Sequence, residues 1–283
     1  MRSHSVRRRG ILVTILILIL LAPATGHTAT ATYEASDTIL ILGAVPQEIP
    51  PLVAALEDVS NATLWGIPYW QGRLHGKPVV IAITGIGKTF TGMTTTLFLT
   101  EFKPRFVVMT GTGARLNPDL RTGDVIVAST THEHDYGSLT ADGMVYRPLN
   151  SPINGGEVEN AFAPSEAALA LAKQAIASYP AQSVTADGNS YDNRIRLGVV
   201  ASSDLFGVTE RRITLLRERF NADIMEMESA PLALVCNTFA IPFLVVRAGS
   251  NRAQEAPNDD YLRLGPIAAQ EAARFTLHLL RYL

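Results

Sequence analysis

The sequence predicts an α/β fold built on a largely parallel sheet, and three observations predict it. Short, wholly apolar runs recur along the chain, as expected of strands buried on both faces. Helical patterns separate those runs, which is the alternation of a parallel sheet with crossover helices. Glycine-rich or polar segments follow the apolar runs, and ligands in such folds bind at the carboxyl ends of the strands.

The first run, Thr38-Ile39-Leu40-Ile41-Leu42-Gly43-Ala44, is aliphatic throughout its centre. Pro78 to Ile83 repeats that character and ends at Thr84-Gly85-Ile86-Gly87-Lys88. A helix follows from Thr89 towards Glu101, because Lys103-Pro104 stops it. Phe106-Val107-Val108-Met109 is the next strand and opens into Thr110-Gly111-Thr112-Gly113-Ala114; Asp124 to Ala128 follows. Residues 136 to 160 are rich in Gly, Pro and Asn without a period, so they read as a loop or flap. Ala163 to Ser178 is a helix with Pro164 near its start. Arg196 to Ser202 and Ile241 to Ala248 are strands flanking a helix that begins after Glu228, and Ala268 to Arg281 closes the chain as a helix. No internal repeat and no interdomain linker interrupts this order.

The N-terminus stands apart. Arg2, Arg7, Arg8 and Arg9 precede an almost unbroken aliphatic stretch from Ile11 to Leu21, and Ala22-Pro23-Ala24 offers a small-x-small cleavage site. That order is the pattern of a secretory signal peptide, and the run falls short of the ~20 residues that span a bilayer. Residues 1–30 are therefore expected to be a signal peptide, residues 31–283 the working domain, and the product periplasmic or secreted. Four of the 24 basic residues lie in that leader, leaving 20 against 26 acidic ones. No block of basic charge survives, so neither nucleic acid nor, once the leader is removed, a membrane is an expected partner. Cys/His metal-site spacing is absent, and neither metal nor cofactor is expected. Cys236, the only cysteine, falls in an apolar helical pattern with Leu232 and Val235 and reads as core.

The run Met225-Glu226-Met227-Glu228-Ser229-Ala230 places two carboxylates two residues apart before a helix. An ionised carboxylate is costly to bury without partners. Glu228 sits either in water, near the positive end of that helix, or in a pocket whose ligand supplies hydrogen-bond donors. Spacing alone leaves both readings open.

Taken in order, the strand-end segments resemble the nucleoside phosphorylase and nucleosidase superfamily, and most nearly its methylthioadenosine/S-adenosylhomocysteine nucleosidase branch. The resemblance rests on Gly43-Ala44-x-x-x-Glu48, Thr84-Gly85-Ile86-Gly87-Lys88, Thr110-Gly111-Thr112-Gly113 and Gly123-Asp124-Val125-Ile126-Val127. It continues through His134-Asp135, Ser203-Asp204-x-Phe206, Met225-Glu226-Met227-Glu228 and Val246-Arg247-Ala248-x-Ser250-Asn251. It covers roughly residues 38 to 280. It implies a single-domain, three-layer fold around a central mixed sheet, a purine nucleoside as ligand, and a homodimer.

Cleaving an N-glycosidic bond builds positive charge on the ribose and negative charge on the departing purine, which carboxylates and a positioned water can manage. The resemblance implies that Glu48 activates the water, that Glu228 grips the ribose hydroxyls, and that Met227 packs beside the sugar. Thr112 and Gly113 are implied near water and sugar, Ser250 and Asn251 near the base. Phe206 matches an aromatic that stacks on the base, although a lone Phe also serves as core. Arg247 and Asp124 read as supports of the fold. One departure stands out: where the adenine-directed enzymes carry an aspartate that protonates the purine, this chain has Asn251. An amide offers a donor and an acceptor but no proton. That points to a 6-oxopurine nucleoside, whose O6 and N7 both accept, or to a pocket that binds without catalysis. Hydrolysis is favoured over phosphorolysis because the Glu48 loop carries no arginine, with Arg115 as a nearby cation that would partly compensate.

Overall fold

A computed structural model of the chain describes residues 35–283 apart from 142 and 154. The expected signal peptide, residues 1–30, lies outside the described residues. The sheet strands are β1 (Ser36–Gly43), β2 (Glu57–Leu64), β3 (Ile67–Leu74), β4 (Lys77–Ile83), β5 (Pro104–Arg115) and β6 (Val125–Glu133). Two short antiparallel pairs follow, β7 with β8 (Gly137–Thr140, Gly143–Tyr146) and β9 with β10 (Leu149–Asn150, Glu157–Val158). Next come β11 (Ala161–Phe162), the hairpin of β12 and β13 (Ser183–Ala186, Asn189–Asp192), β14 (Ile195–Ser202), β15 (Ile224–Glu226) and β16 (Phe243–Arg252). The helices are α1 (Pro50–Ala54), α2 (Lys88–Phe102), α3 (Glu166–Ser178), α4 (Glu210–Phe220), α5 (Ser229–Thr238) and α6 (Asn258–Leu279).

The sheet is mixed and largely parallel, as the sequence predicts. β1 pairs in parallel with β4 and β5, and β5 with β16, whereas β2 and β3 add antiparallel strands beyond β4. β5, β16, β6, β14 and β15 also pair in a closed ring, because β16 bonds both β5 and β6 while β15 bonds both β14 and β5. This ring brings the ends of β5, β15 and β16 together.

Side-chain alternation explains the three layers. Ile39 and Ile41 of β1 point into one core with Ala168 and Ala172 of α3 and Phe275 of α6; Leu40 and Leu42 point the other way, to Phe98 of α2 and Leu232 and Cys236 of α5. A strand with both faces buried must be apolar at every position, which is why β1 reads as an unbroken run. Cys236 is core, as expected.

Three expectations are corrected. The segment 110–114 continues β5 instead of following it, because Thr110 to Gly113 keep pairing with Val246 to Gly249. The stretch 136–160 contains β7 to β10 and is not one open loop. The closing helix starts at Asn258, a full ten residues before the expected Ala268, and carries Pro266 inside it. Proline lacks an N–H and crowds the preceding turn, so its presence argues against a continuous helix on sequence grounds. Of the two readings open at Met225 to Ala230, the buried one holds: Glu226 and Glu228 are both buried.

Candidate active site

A cavity of about 350 Å³ opens at the carboxyl ends of the strands, where the first loop after β1, the end of β5, the turn after β15 and the end of β16 converge. Thr112, Gly113, Phe206, Met227, Glu228, Ser250, Asn251 and Glu48 all line it, so the structure brings together every site residue the sequence singled out.

Glu48 ends the single turn Pro46–Glu48 and is buried. One carboxylate oxygen accepts from the backbone N–H groups of Ala44 at 2.7 Å and Val45 at 3.3 Å. The other accepts from Thr112 N at 2.8 Å and from Thr112 Oγ1 at 3.1 Å. These donors fix the carboxylate against β5 without neutralising it. Gly111 lacks a side chain for a reason: a Cβ there would stand 2.5 Å from both the Glu48 carboxylate and the Arg247 guanidinium.

Glu226 and Glu228 form the opposite side of the floor. Arg247, fully buried on β16, donates from Nη2 to both, at 3.2 Å to Glu228 and still closer to Glu226, and its Nη1 lies 3.9 Å from Glu48. Glu226 is saturated: it also accepts from Ser202 Oγ and from the N–H groups of Glu228 and Ser229. Glu228 is less so, accepting from Arg247 and from Gly87 N at 2.9 Å. Burial pushes the Glu228 carboxyl up to about 8, with the Glu226 and Glu48 charges adding to the rise and Arg247 and the Gly87 N–H opposing it. One guanidinium thus faces three carboxylates, and Glu228 is the one left with capacity for further donors such as sugar hydroxyls.

At the end of β16, Ser250 Oγ lies 3.0 Å from both Gly113 O and Asn251 Oδ1, and Asn251 Nδ2 donates to Arg252 O at 2.8 Å. One Nδ2 hydrogen remains beyond that bond. Phe206 is half exposed at the mouth and meets Tyr261 edge-on, with ring centroids 5.9 Å apart. Its place in the core, the alternative from sequence, is not what the structure shows. Asp124 is a fold support, taking Arg194 N, the Arg194 guanidinium and Arg121 N.

Sequence reasoning missed Tyr261, which lines the cavity from α6. Burial and the Glu48 charge push its phenol up against hydrogen bonds from Thr112 and Gln47. The signal was present: Tyr261, Leu264 and Ala268 sit at helical spacing, but Pro266 hides it. Glu226 carried a signal too, since residues two apart at a strand share a side. Arg115 is not among the residues that line the cavity, and its Nη1 donates to Leu120 O at 2.9 Å.

The phosphorylase superfamily matches this chain over residues 38–281. The 5′-methylthioadenosine/S-adenosylhomocysteine nucleosidase of Mycobacterium bovis is 30% identical over 86% of this chain and 96% of its own length. That of Geobacillus thermodenitrificans is 31% identical over 85% and 94%. Among solved structures, the corresponding nucleosidase of Neisseria meningitidis in complex with methylthio-immucillin-A superposes with a TM-score of 0.74 at 26% identity, covering 88% of this chain and 100% of that one. Futalosine hydrolase of Helicobacter pylori matches with a TM-score of 0.74 at 29% identity, over 87% and 98%.

Proposed function

Because this chain belongs to the phosphorylase superfamily, in its methylthioadenosine/S-adenosylhomocysteine nucleosidase branch, we propose that it hydrolyses the N-glycosidic bond of a 5′-alkylthio adenosine. The observation that carries the proposal is Glu48, a buried carboxylate held on a cavity floor opposite Glu228. In the reaction, the oxygen of a water bonds to C1′ while Glu48 takes its proton. The C1′–N9 electron pair moves to the purine, and the proton ends on the released base. Glu228 accepts from the ribose hydroxyls, a contact that strengthens as positive charge grows on the sugar. Asn251 donates a hydrogen bond to N7 but supplies no proton.

Two features support hydrolysis of a thioether nucleoside over phosphorolysis. None of the described residues lining the cavity is Lys or Arg, and the buried Arg247 beneath the floor is already shared among Glu48, Glu226 and Glu228, so a phosphate would meet carboxylates and no free cation. Val45, Ile86, Leu205, Pro257 and Leu262 give the lining an apolar part that suits an alkylthio group better than a charged one. The sequence-based preference for a 6-oxopurine gives way to this reading, because the curated relatives are methylthioadenosine/S-adenosylhomocysteine nucleosidases. It survives as the second reading through Asn251 and the likeness to a futalosine hydrolase.

The test is incubation with methylthioadenosine, adenosine and inosine, each with and without phosphate, followed by identification of base and sugar. Adenine and free methylthioribose without phosphate are expected. A strict need for phosphate, or cleavage of inosine alone, overturns the first reading. Export and dimerisation belong to the same proposal. The N-terminal arginines and aliphatic run support export, checked by sequencing the mature N-terminus. Exposed Ile86, just before α2, with Phe90 and Met93 in its first turns supports a homodimer contact, checked by sedimentation.

A further inference from the structure

Beside the cavity, but not lining it, four charged side chains tie together two segments that do. Lys88 Nζ lies 2.5 Å from Glu133, the last residue of β6, and 2.6 Å from Asp135, two residues beyond it. Asp135 also accepts from Asp204 N at 2.9 Å, and Asp204 in turn accepts from Lys88 N at 2.7 Å. Burial pulls the Lys88 ammonium down, yet the hydrogen bonds and charges of Asp135 and Glu133 outweigh it and hold it above the usual lysine value.

The consequence lies in which groups neighbour these contacts. The first N–H groups of a helix have no partner within the helix. At α2 two consecutive ones are taken by carboxylates: Gly87 N by Glu228, which lines the cavity, and Lys88 N by Asp204, which stands beside it. Leu205 and Phe206, immediately after Asp204, form part of the mouth. Gly87 has φ 91°, and a Cβ there would stand 2.8 Å from the Asp204 carboxylate, so a glycine is needed for Asp204 to come this close to the turn.

We propose that Asp204 is a positioning residue, which sets the Gly87 N–H on Glu228 and holds the Phe206 loop beside it, so that ribose grip and base wall form as one unit. The inference rests on the proposed function, since it takes Glu228 as the ribose ligand. Asp204 itself touches no substrate and acts through Gly87.

A double-mutant cycle tests it, because residues that act through one another give non-additive effects. The readout is the Kd of an adenosine C-nucleoside, whose glycosidic carbon–carbon bond is not hydrolysed. Asp204→Ala is expected to weaken binding about tenfold in the wild-type background and less than about threefold when Glu228→Gln is already present. Asp204→Asn keeps an acceptor for Lys88 N and restores most of the affinity. An equal loss in both backgrounds, or no loss in the first, overturns the inference, because a simple helix cap predicts the former and an idle surface residue the latter. Should Asp204→Ala not fold, Asp204→Glu keeps the charge, displaces the acceptor by one methylene, and takes its place in the cycle: coupling to Glu228→Gln supports the inference, and additivity overturns it. Failure of the wild-type protein to bind the C-nucleoside strikes the proposed function first, whereas wild-type binding with an additive cycle rejects only the role of Asp204.

Discussion

The floor and the mouth of the cavity are built by opposite means. The floor is charged and buried: Glu48, Glu226, Glu228 and Arg247 are 0–6% exposed and hang on the turn after β1, on β15 and the turn after it, and on β16. The mouth is apolar and open: Leu205, Phe206 and Leu262 are 45–64% exposed and belong to a loop and the first turns of α6. A buried charge must be paired to be tolerated, so each floor residue holds the others in place. An exposed apolar side chain makes few obligations to its neighbours and gains contacts when a ligand covers it. Substitutions in the floor should therefore damage folding and chemistry together, and substitutions in the mouth should change affinity alone.

The largest effect is expected at Arg247. Arg247→Met removes the one guanidinium and leaves buried carboxylates unpaired, which should cost about 3–5 kcal/mol of stability. Urea unfolding measures it, and a loss below about 1 kcal/mol would mean the floor is wetter than its burial indicates. Next is Glu48. Replacement by Ala should lower kcat by ~10² or more, as for loss of a general base. Glu48→Gln should do the same and also destabilise, because both Glu48 oxygens accept from N–H groups and an amide would turn an NH2 against one of them. Near-normal kcat in either variant would remove Glu48 from the mechanism.

Glu228 gives the floor its pH dependence. Its proton is held up to about 8 in the free protein, and two ribose hydroxyls favour the ionised acceptor. The kcat/KM of the wild type should thus rise with pH through about 8, since that ratio reports groups of the free enzyme. Glu228→Gln should flatten this limb and reduce kcat/KM about tenfold through loss of a charge-assisted hydrogen bond. Persistence of the limb in the variant would assign it to another group.

The legibility of the molecule follows the same division. β1 and β4 were readable because both faces are buried, and the strand-end segments of the floor were readable because they interrupt such runs. β2 was not, as nearly every one of its residues is exposed and no apolar period marks it. The partnership of Glu226 with Arg247 could not be read either. It spans 21 residues and depends on the closed ring of strands that sets Arg247 opposite Gly111. Phe206 stayed ambiguous because core and mouth demand the same side chain, and only the neighbours supplied by α6 separate them.

The mouth should yield the smallest and cleanest effect. Stacking of a base on an aromatic ring is worth about 1–3 kcal/mol, and the half-exposed ring of Phe206 belongs at the lower end. Phe206→Ala should raise KM for methylthioadenosine about fivefold to tenfold while sparing kcat, because the ring touches the base and not the reacting bond. Stability should stay within about 0.5 kcal/mol of wild type, as for an exposed residue with no buried partner to orphan. Steady-state kinetics and thermal melting of the same preparation measure both. A fall in kcat at unchanged KM would make Phe206 part of the machinery otherwise confined to the floor. Melting shifted by several degrees would show that the mouth, too, is held by the fold.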